Sequence, residues 1–511
     1  MEHEINFMDL NYQKRYLLLK AIYSAPEHVL SQADLLTTFQ ISQPTLTTLT
    51  NAIQADIDEF DYADRISLSL EKNTKLYHLK IASSFSLEIL RLAYLESSIK
   101  FKIVQGMLYN DLGDMSSTAD KYFITYPSLR RELYILNKYF KTLNLSISTK
   151  KKITLEGKEL AIRMFFTYFY TEIYGGTTWP FKYITIASLD EIFTHVPKEI
   201  YEPTLEKKIL LYYFTAIFLG REKQGNHLTL SKHIPLYSSS TDSLDELSYS
   251  IRMYTPLLTQ SELNETTQIL CSMYLAFGSY HTIKRPPLFF YLSNSLIDRN
   301  FLENILSSIK IIDSHLEYCL SNEEYDILLY KLCVIHYRII LFEDIIDFFK
   351  NGFLWETPIK YNQILKMPFD IISIIISKAL APFPSDQTFT DYLKHQYYSV
   401  IKSSVNIKKL LPNINIVFIS KLTTFDMRNN ILGIFLPNYN LTVTHVINSS
   451  VDLIISDSLI THNGIIDNIL NKKLILVETY PIQSDIDNVS SALSEIINTK
   501  LRKNSTYKNI L

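Results

Sequence analysis

What constrains this chain most is a pattern that its first 160 residues spell twice: two short helices joined by a turn, then a hairpin. In the first occurrence Tyr12 to Tyr23 is amphipathic. Ser31 suits the N-cap of a helix from Gln32 to Phe39, and Gln40-Ile41-Ser42 makes the turn. Pro44 suits the first turn of the next helix, whose Leu46, Leu49 and Ile53 keep the three/four spacing of a buried stripe. Ile66, Leu68 and Leu70 then alternate, Asn73 marks a turn, and Tyr77, Leu79 and Ile81 alternate back. In the second occurrence Phe85 to Leu112 supplies helices, Ser117 to Phe123 a short one, and Ile124-Thr125-Tyr126 the turn. Pro127 or Ser128 opens a long helix through Leu129, Leu133, Leu136 and Phe140. Leu143, Leu145 and Ile147 alternate, Lys150-Lys151-Lys152 caps the bend, and Ile153 and Leu155 return. Each occurrence reads as a winged helix-turn-helix.

Charge separates the two. The 511 residues carry a net charge of only −3, yet Lys121 to Arg163 holds ten Lys/Arg against three Glu, a local +7. A compact basic island in an otherwise acidic chain is the footprint of a nucleic-acid-binding module. The second long helix presents Arg130, Arg131, Lys138 and Lys141, with Ser128 and Asn137 as further donors, and Lys150, Lys151 and Lys152 sit where a wing meets phosphates. In a major groove Arg pairs bidentately with guanine and Asn with adenine, whereas wing lysines add salt-dependent affinity through counterion release. Solvated helix charge is the plain alternative, and the order helix, turn, basic helix, basic wing argues against it. The first module is weaker. Its helix from Gln43 lacks Lys and Arg, offers Gln43, Thr45, Thr47, Thr48 and Asn51, and runs into Asp56, Asp58, Glu59, Asp61 and Asp64. Auxiliary base reading and a structural role both fit it.

Other chemistries find little support. With 11 glycines there is no Gly-rich phosphate loop, no His-Glu-x-x-His and no nucleophile elbow, so neither an enzyme nor a cofactor or metal site is expected. Cys271, Cys319 and Cys333 form no Cys-x-x-Cys pair. No apolar run reaches membrane length, and the start carries no leader-like basic and apolar segments, so a cytoplasmic protein without membrane contact is expected.

From Glu159 to about Ser404 the chain is helical and aromatic, broken at Gly175-Gly176, Gly225, Lys284-Arg285-Pro286-Pro287, Trp355-Pro358 and Pro382-Pro384. After Pro412, β-branched runs at Ile414–Ile419, Leu441–Val446, Val451–Ile455 and Lys473–Val477 alternate with helical segments and predict a small α/β domain with a mostly parallel sheet. The expected fold is therefore multidomain and mainly α. It comprises winged modules over 1–82 and 83–163, helical bundles over 164–286 and 287–404, and an α/β domain over 412–511.

This order of parts resembles the Mga/AtxA family of virulence regulators of low-GC Gram-positive bacteria. The stretch Ser117-Thr-Ala-Asp-Lys-Tyr-Phe-Ile-Thr-Tyr-Pro-Ser-Leu-Arg-Arg-Glu-Leu133, continuing to Leu155–Arg163 and the helix end Tyr168–Gly176, looks like that family's second DNA-binding module and its exit. Leu211–Arg221 with Gly225 and His227 resembles part of a phosphotransferase-regulation domain (PRD), and the last domain is similar to a sugar-phosphotransferase EIIB domain. Its loop Ser420–Asp426 lacks the phosphate-carrying cysteine, which points to a retained fold without phosphotransfer. The resemblance implies a transcription regulator, usually an activator of virulence or carbohydrate-linked genes. It would bind double-stranded promoter DNA as a homodimer or larger oligomer. It would be controlled by phosphorylation of histidines by a phosphocarrier protein of the sugar phosphotransferase system. His195, His227 and His281 are candidates in the first bundle, and His336 and His395 in the second. A sugar-responsive RNA antiterminator shares such bundles, but would begin with a small RNA-binding β module.

Overall fold

The computed structural model describes residues 6–200, 204–231, 234–238, 243–277, 289–290, 301–316, 319–345, 348, 363–381, 383, 387–420, 426–458 and 472–503. The chain opens with α1 (Leu10–Tyr23), β1 (Val29–Ser31), α2 (Gln32–Phe39), α3 (Gln43–Glu59), β2 (Ile66–Glu71) and β3 (Leu76–Ile81). Ser31 and Ser42 cap α2 and α3 as their side-chain oxygens accept backbone N–H groups. The hairpin is not two-stranded, as the alternation suggested: the three residues of β1 add to its other side, in the order β1–β3–β2.

Next come α4 (Leu87–Ser97), α5 (Ile99–Tyr109), α6 (Met115–Lys121), α7 (Tyr126–Thr142), β4 (Ser146–Ser148) and β5 (Thr154–Glu156). Helix α6 lies two residues earlier than the sequence reading placed it, because Asp114 caps it through the Ser117 N–H. Ile147 faces Leu155 across the β4–β5 wing. Gly157 follows at φ +154°, where a Cβ would strike the Leu145 side chain.

A constant offset of 83 residues relates the two modules. Leu46, Ile53 and Ile57 correspond to Leu129, Leu136 and Phe140, all buried. Gln40 and Phe123 are both left-handed, as are Asp61 and Asn144. The turns carry the same bond pair: Gln40 N–H to Thr37 O with Ile41 N–H to Leu36 O, and Phe123 N–H to Asp120 O with Ile124 N–H to Ala119 O. That 5→2 and 6→1 pair is the Schellman stop of a helix.

Helix α8 (Glu159–Tyr174) leaves the second wing and is buried on nearly every side. It packs along α10 (Leu205–Lys223), which follows α9 (Ile186–Thr194). A buried ion network locks this joint. Arg163, fully buried, bonds Glu159 at 2.8 Å and Glu222 at 2.8 Å, and donates to Asn226 O. Its guanidinium also lies 4.2 Å from the Phe218 ring centroid, and Arg221 closes the network on Glu159 at 2.6 Å. Helices α11 (Ser243–Arg252), α12 (Gln260–Phe277), α13 (Phe301–Asp313), α14 (Asn322–Leu341), α15 (Gln363–Leu380) and α16 (Gln387–Ser404) follow in the helical middle. The expected break at Lys284–Pro287 lies outside the described residues.

At the C-terminal end β6 (Ile414–Ile419), α17 (Asp426–Phe435), β7 (Leu441–Val443), β8 (Leu453–Ser456), β9 (Lys473–Leu476) and α18 (Gln483–Lys503) form an α/β unit. Its four strands are all parallel, in the order β7–β6–β8–β9. Asp452 accepts from the Asn415 N–H and from Lys500, pinning α18 beneath the sheet.

Removing one member of a buried, hydrogen-bonded ion network strands its partners. Arg163→Ala should therefore destabilise the chain by about 3–5 kcal/mol in chemical denaturation, since it leaves Glu222 buried without its cation. A loss below about 1 kcal/mol, the ordinary value for an exposed pair, would mean that the network contributes little.

Candidate nucleic-acid interface

Helix α7 buries Leu129, Leu133, Leu136 and Phe140 against the module core. The opposite side is left to solvent, where Arg130, Arg131, Tyr134, Lys138 and Lys141 are exposed. The Thr125 side chain caps the helix by accepting from the Ser128 N–H at 3.3 Å, which places half-buried Ser128 in its first turn. At the far end of the hairpin Lys150, Lys151 and Lys152 project together from the β4–β5 bend.

The ten cations of the basic island divide into two sets. Lys121 pairs with Asp111, Lys158 with Asp344 and Arg163 with Glu159 and Glu222, so these three serve the fold. Arg130, Lys138, Lys141, Lys150, Lys151 and Lys152 have no ion-pair partner among the described residues. Arg131 pairs, among the described residues, with the adjacent Glu132 and remains 71% exposed. Seven cations thus share the surface of one helix and its wing.

Asn137 has another task. Its side-chain oxygen accepts the Ile147 N–H at 2.8 Å, tying the helix to the wing. A bidentate adenine contact needs that oxygen and the amide nitrogen together, so Asn137 holds geometry while this bond stands. The sequence reading missed Tyr134, which lies in the middle of the cationic face and is 73% exposed. It sits one turn beyond Arg130, a spacing that could have flagged it.

In the first module Gln43, Thr45, Thr47, Thr48 and Asn51 are all exposed, but Thr47 and Thr48 turn their hydroxyls back to Gln43 O and Pro44 O. Asp56, the first of the acidic residues into which this helix runs, is buried. It bonds Arg15 at 2.7 and 2.9 Å and the Tyr94 hydroxyl at 2.8 Å, and burial beside this carboxylate raises the Tyr94 pKa.

The histidines differ in accessibility. His195 caps α9 and faces Glu246 at 3.3 Å, beside a cavity of about 640 Å³ that Glu191, Asp245, Tyr249 and Met253 also line. His227 bonds the otherwise buried Glu222 at 2.8 Å, directly beside the Arg163 network. His395 is half-buried on α16, and His281 lies outside the described residues. His336 is a core residue: its Nε2 meets the Tyr397 hydroxyl at 2.7 Å, and its ring stacks on Phe383 at 3.8 Å. Burial pulls its pKa down to about 3. Among the described residues no group of three or more His, Cys, Asp or Glu is placed to hold a metal ion, and no helix is long and apolar enough to cross a membrane.

Residues 83–170 match the Mga helix-turn-helix domain family. The chain is 24% identical over 237 residues to the capsule synthesis positive regulator AcpA of Bacillus anthracis, covering 45% of this chain and 48% of that protein. It is 26% identical over 154 residues to the capsule synthesis positive regulator AcpB of the same organism, covering 28% and 30%. The matched stretches therefore span less than half of either relative. A Streptococcus pneumoniae protein named provisionally as a trans-acting regulator is 22% identical over 403 residues, covering 75% of this chain and 79% of that one. The chain thus carries a segment that matches the Mga helix-turn-helix family and is similar, over longer stretches, to proteins described as regulators.

Because the unfolded chain takes up a proton at an ordinary histidine pKa of 6.5 and folded His336 does so only near 3, acid favours unfolding. His336 should cost stability progressively as pH falls from about 6.5 toward 3. His336→Phe should flatten the decline in melting temperature between pH 7 and 5, and an unchanged slope would show that other groups set it.

Proposed function

We propose that the chain is a DNA-binding transcriptional regulator whose second winged module supplies most of the affinity. The observation that carries this reading is the set of exposed cations on α7 and its wing, six of them without an ion-pair partner among the described residues. A protein gains little by holding so many unneutralised like charges on one face, whereas a duplex with one charge per ~1.7 Å of axis neutralises them. The family match over 83–170 supports it, and the similarity to positive regulators of capsule synthesis supports activation as the output.

The reading extends to the rest of the chain. The helical middle acts as two PRD-like bundles over 164–286 and 287–404, and the parallel sheet over 412–511 as an EIIB-like domain without phosphotransfer. The chain works as a homodimer or larger oligomer, and a phosphocarrier protein of the sugar phosphotransferase system phosphorylates a histidine. His195 and His227 stand open to such a donor, and a phosphate on His227 would add about two negative charges beside Glu222. His336 would need the core to open first. Incubation with purified phosphotransfer proteins and phosphoenolpyruvate should give acid-labile label on at least one candidate; none would remove this arm of the proposal. Deleting residues 413–511 should move the sedimenting mass toward monomer, and an intact oligomer would locate the contact elsewhere.

A gel shift with duplex DNA from upstream of its own gene, against RNA of the same sequence, tests the central claim: DNA binds and RNA does not. Arg130→Ala with Arg131→Ala should weaken specific binding by roughly 2–5 kcal/mol, at ~1–3 kcal/mol per base contact. Replacing Lys150, Lys151 and Lys152 by Ala should weaken every sequence alike and reduce the log–log salt slope by about 3, at ~0.9 per phosphate. Unchanged DNA affinity in both folded variants would overturn the assignment.

A further inference from the structure

We propose that the second module also reads DNA through an apolar edge, made by Phe123, Tyr126 and Tyr134, and that the edge receives thymine C5 methyl groups in the major groove. The proposal rests on the DNA-binding reading above. Phe123 is 97% exposed, Tyr134 73% and Tyr126 51%, and among the described residues none of the three rings packs on another ring. Phe123 is nearly as wet in the folded chain as in the unfolded one, so its ring adds almost nothing to folding.

Phe123 also occupies the wrong kind of position for a bulky residue. It is the left-handed residue of the Schellman stop between α6 and α7, at φ 55°, where glycine fits without strain. Fold stability alone would favour glycine there. A phenylalanine that neither packs nor suits its backbone points to a use outside the fold.

The placement says what that use is. Tyr126, Arg130 and Tyr134 follow one another at four-residue spacing and share one face of α7, with Phe123 at the mouth of the same helix. Residues at the N-terminal end of a recognition helix are the ones that approach base edges. Arg130, Arg131, Lys138 and Lys141 border the rings, so whatever receives them must be anionic and present apolar groups between its charges. A DNA major groove does both: phosphates line it, and the thymine methyl is its apolar base-edge group. The first module makes the contrast. At the equivalent positions it carries Gln40, Gln43 and Asn51, side chains suited to hydrogen bonds with adenine rather than to methyl contact.

The test uses the full chain and the duplex from upstream of its own gene in two forms, one with thymine and one with deoxyuridine throughout, which deletes only the C5 methyls. Phe123→Gly should melt at or above the temperature of the parent chain. It should bind the thymine duplex about tenfold more weakly, the order of one base contact, with an unchanged salt slope. The parent chain should prefer thymine to deoxyuridine DNA, and Phe123→Gly should lose most of that preference. The Arg130→Ala, Arg131→Ala chain is the reference. If the parent binds neither duplex, or the reference binds as the parent does, the DNA reading itself fails. If the reference is weakened but Phe123→Gly is not, or if the parent ignores the methyls, the apolar edge is overturned and the DNA reading stands. A change in sedimenting mass for Phe123→Gly at unchanged DNA affinity would make the rings a protein contact, and would overturn the proposal as well.

Discussion

Arg163 is the residue on which the arrangement of this chain turns. It belongs to the helix that leaves the second wing, yet its partners Glu222 and Asn226 belong to the end of α10 and the loop behind it. A guanidinium buried this completely stays charged, so every one of its neighbours must be in place before the joint can close. The consequence is orientation. Helix α8 cannot rotate against α10 without stranding a charge, and the wing attached to its start is held in a fixed attitude to the bundle. Gln224 adds to this by donating to Leu108 O in the winged region, and Tyr109 by donating to Pro180 O in the opposite direction.

Much of the frame was legible in the sequence because it rests on local signals. Serine and threonine caps, Pro44 and Pro127 in first turns, and apolar residues at three/four spacing fix α3 and α7 without reference to anything distant. The parallel strands near the C-terminus announced themselves as short β-branched runs. The 83-residue relation was not visible as identity, since only the core positions and the left-handed stops recur while the surface between them has changed. The three-residue strand β1 was too short to show any alternation of its own.

The candidate interface was legible in composition but not in detail. The sequence supplied ten cations in one stretch and no means of telling which were already engaged. Asp344, which claims Lys158, and Glu222, which joins the nearby Glu159 on Arg163, lie 186 and 59 residues away, and that information exists only in the fold. Asn137 shows the same limit: its polar side chain looked like a reader, and a backbone N–H from the wing takes its oxygen. His336 looked like its fellow candidates until Tyr397 and Phe383 enclosed it. Long-range partners decide whether a polar residue is surface chemistry or core architecture.

Asp344 holds a second seam of a different character. Its side chain takes Lys158 and Ser231, from the start of α8 and from beyond α10, and its carbonyl takes Lys158 again. Unlike Arg163 this cluster is open to water, with Lys158 60% and Asp344 42% exposed. Mobile ions reach it, and at 1 M salt the screening length falls to about 3 Å, close to the length of the pair itself. The molecule is therefore built with an order of disassembly: raised ionic strength loosens the outer seam at Asp344 and leaves the sealed joint at Arg163 intact.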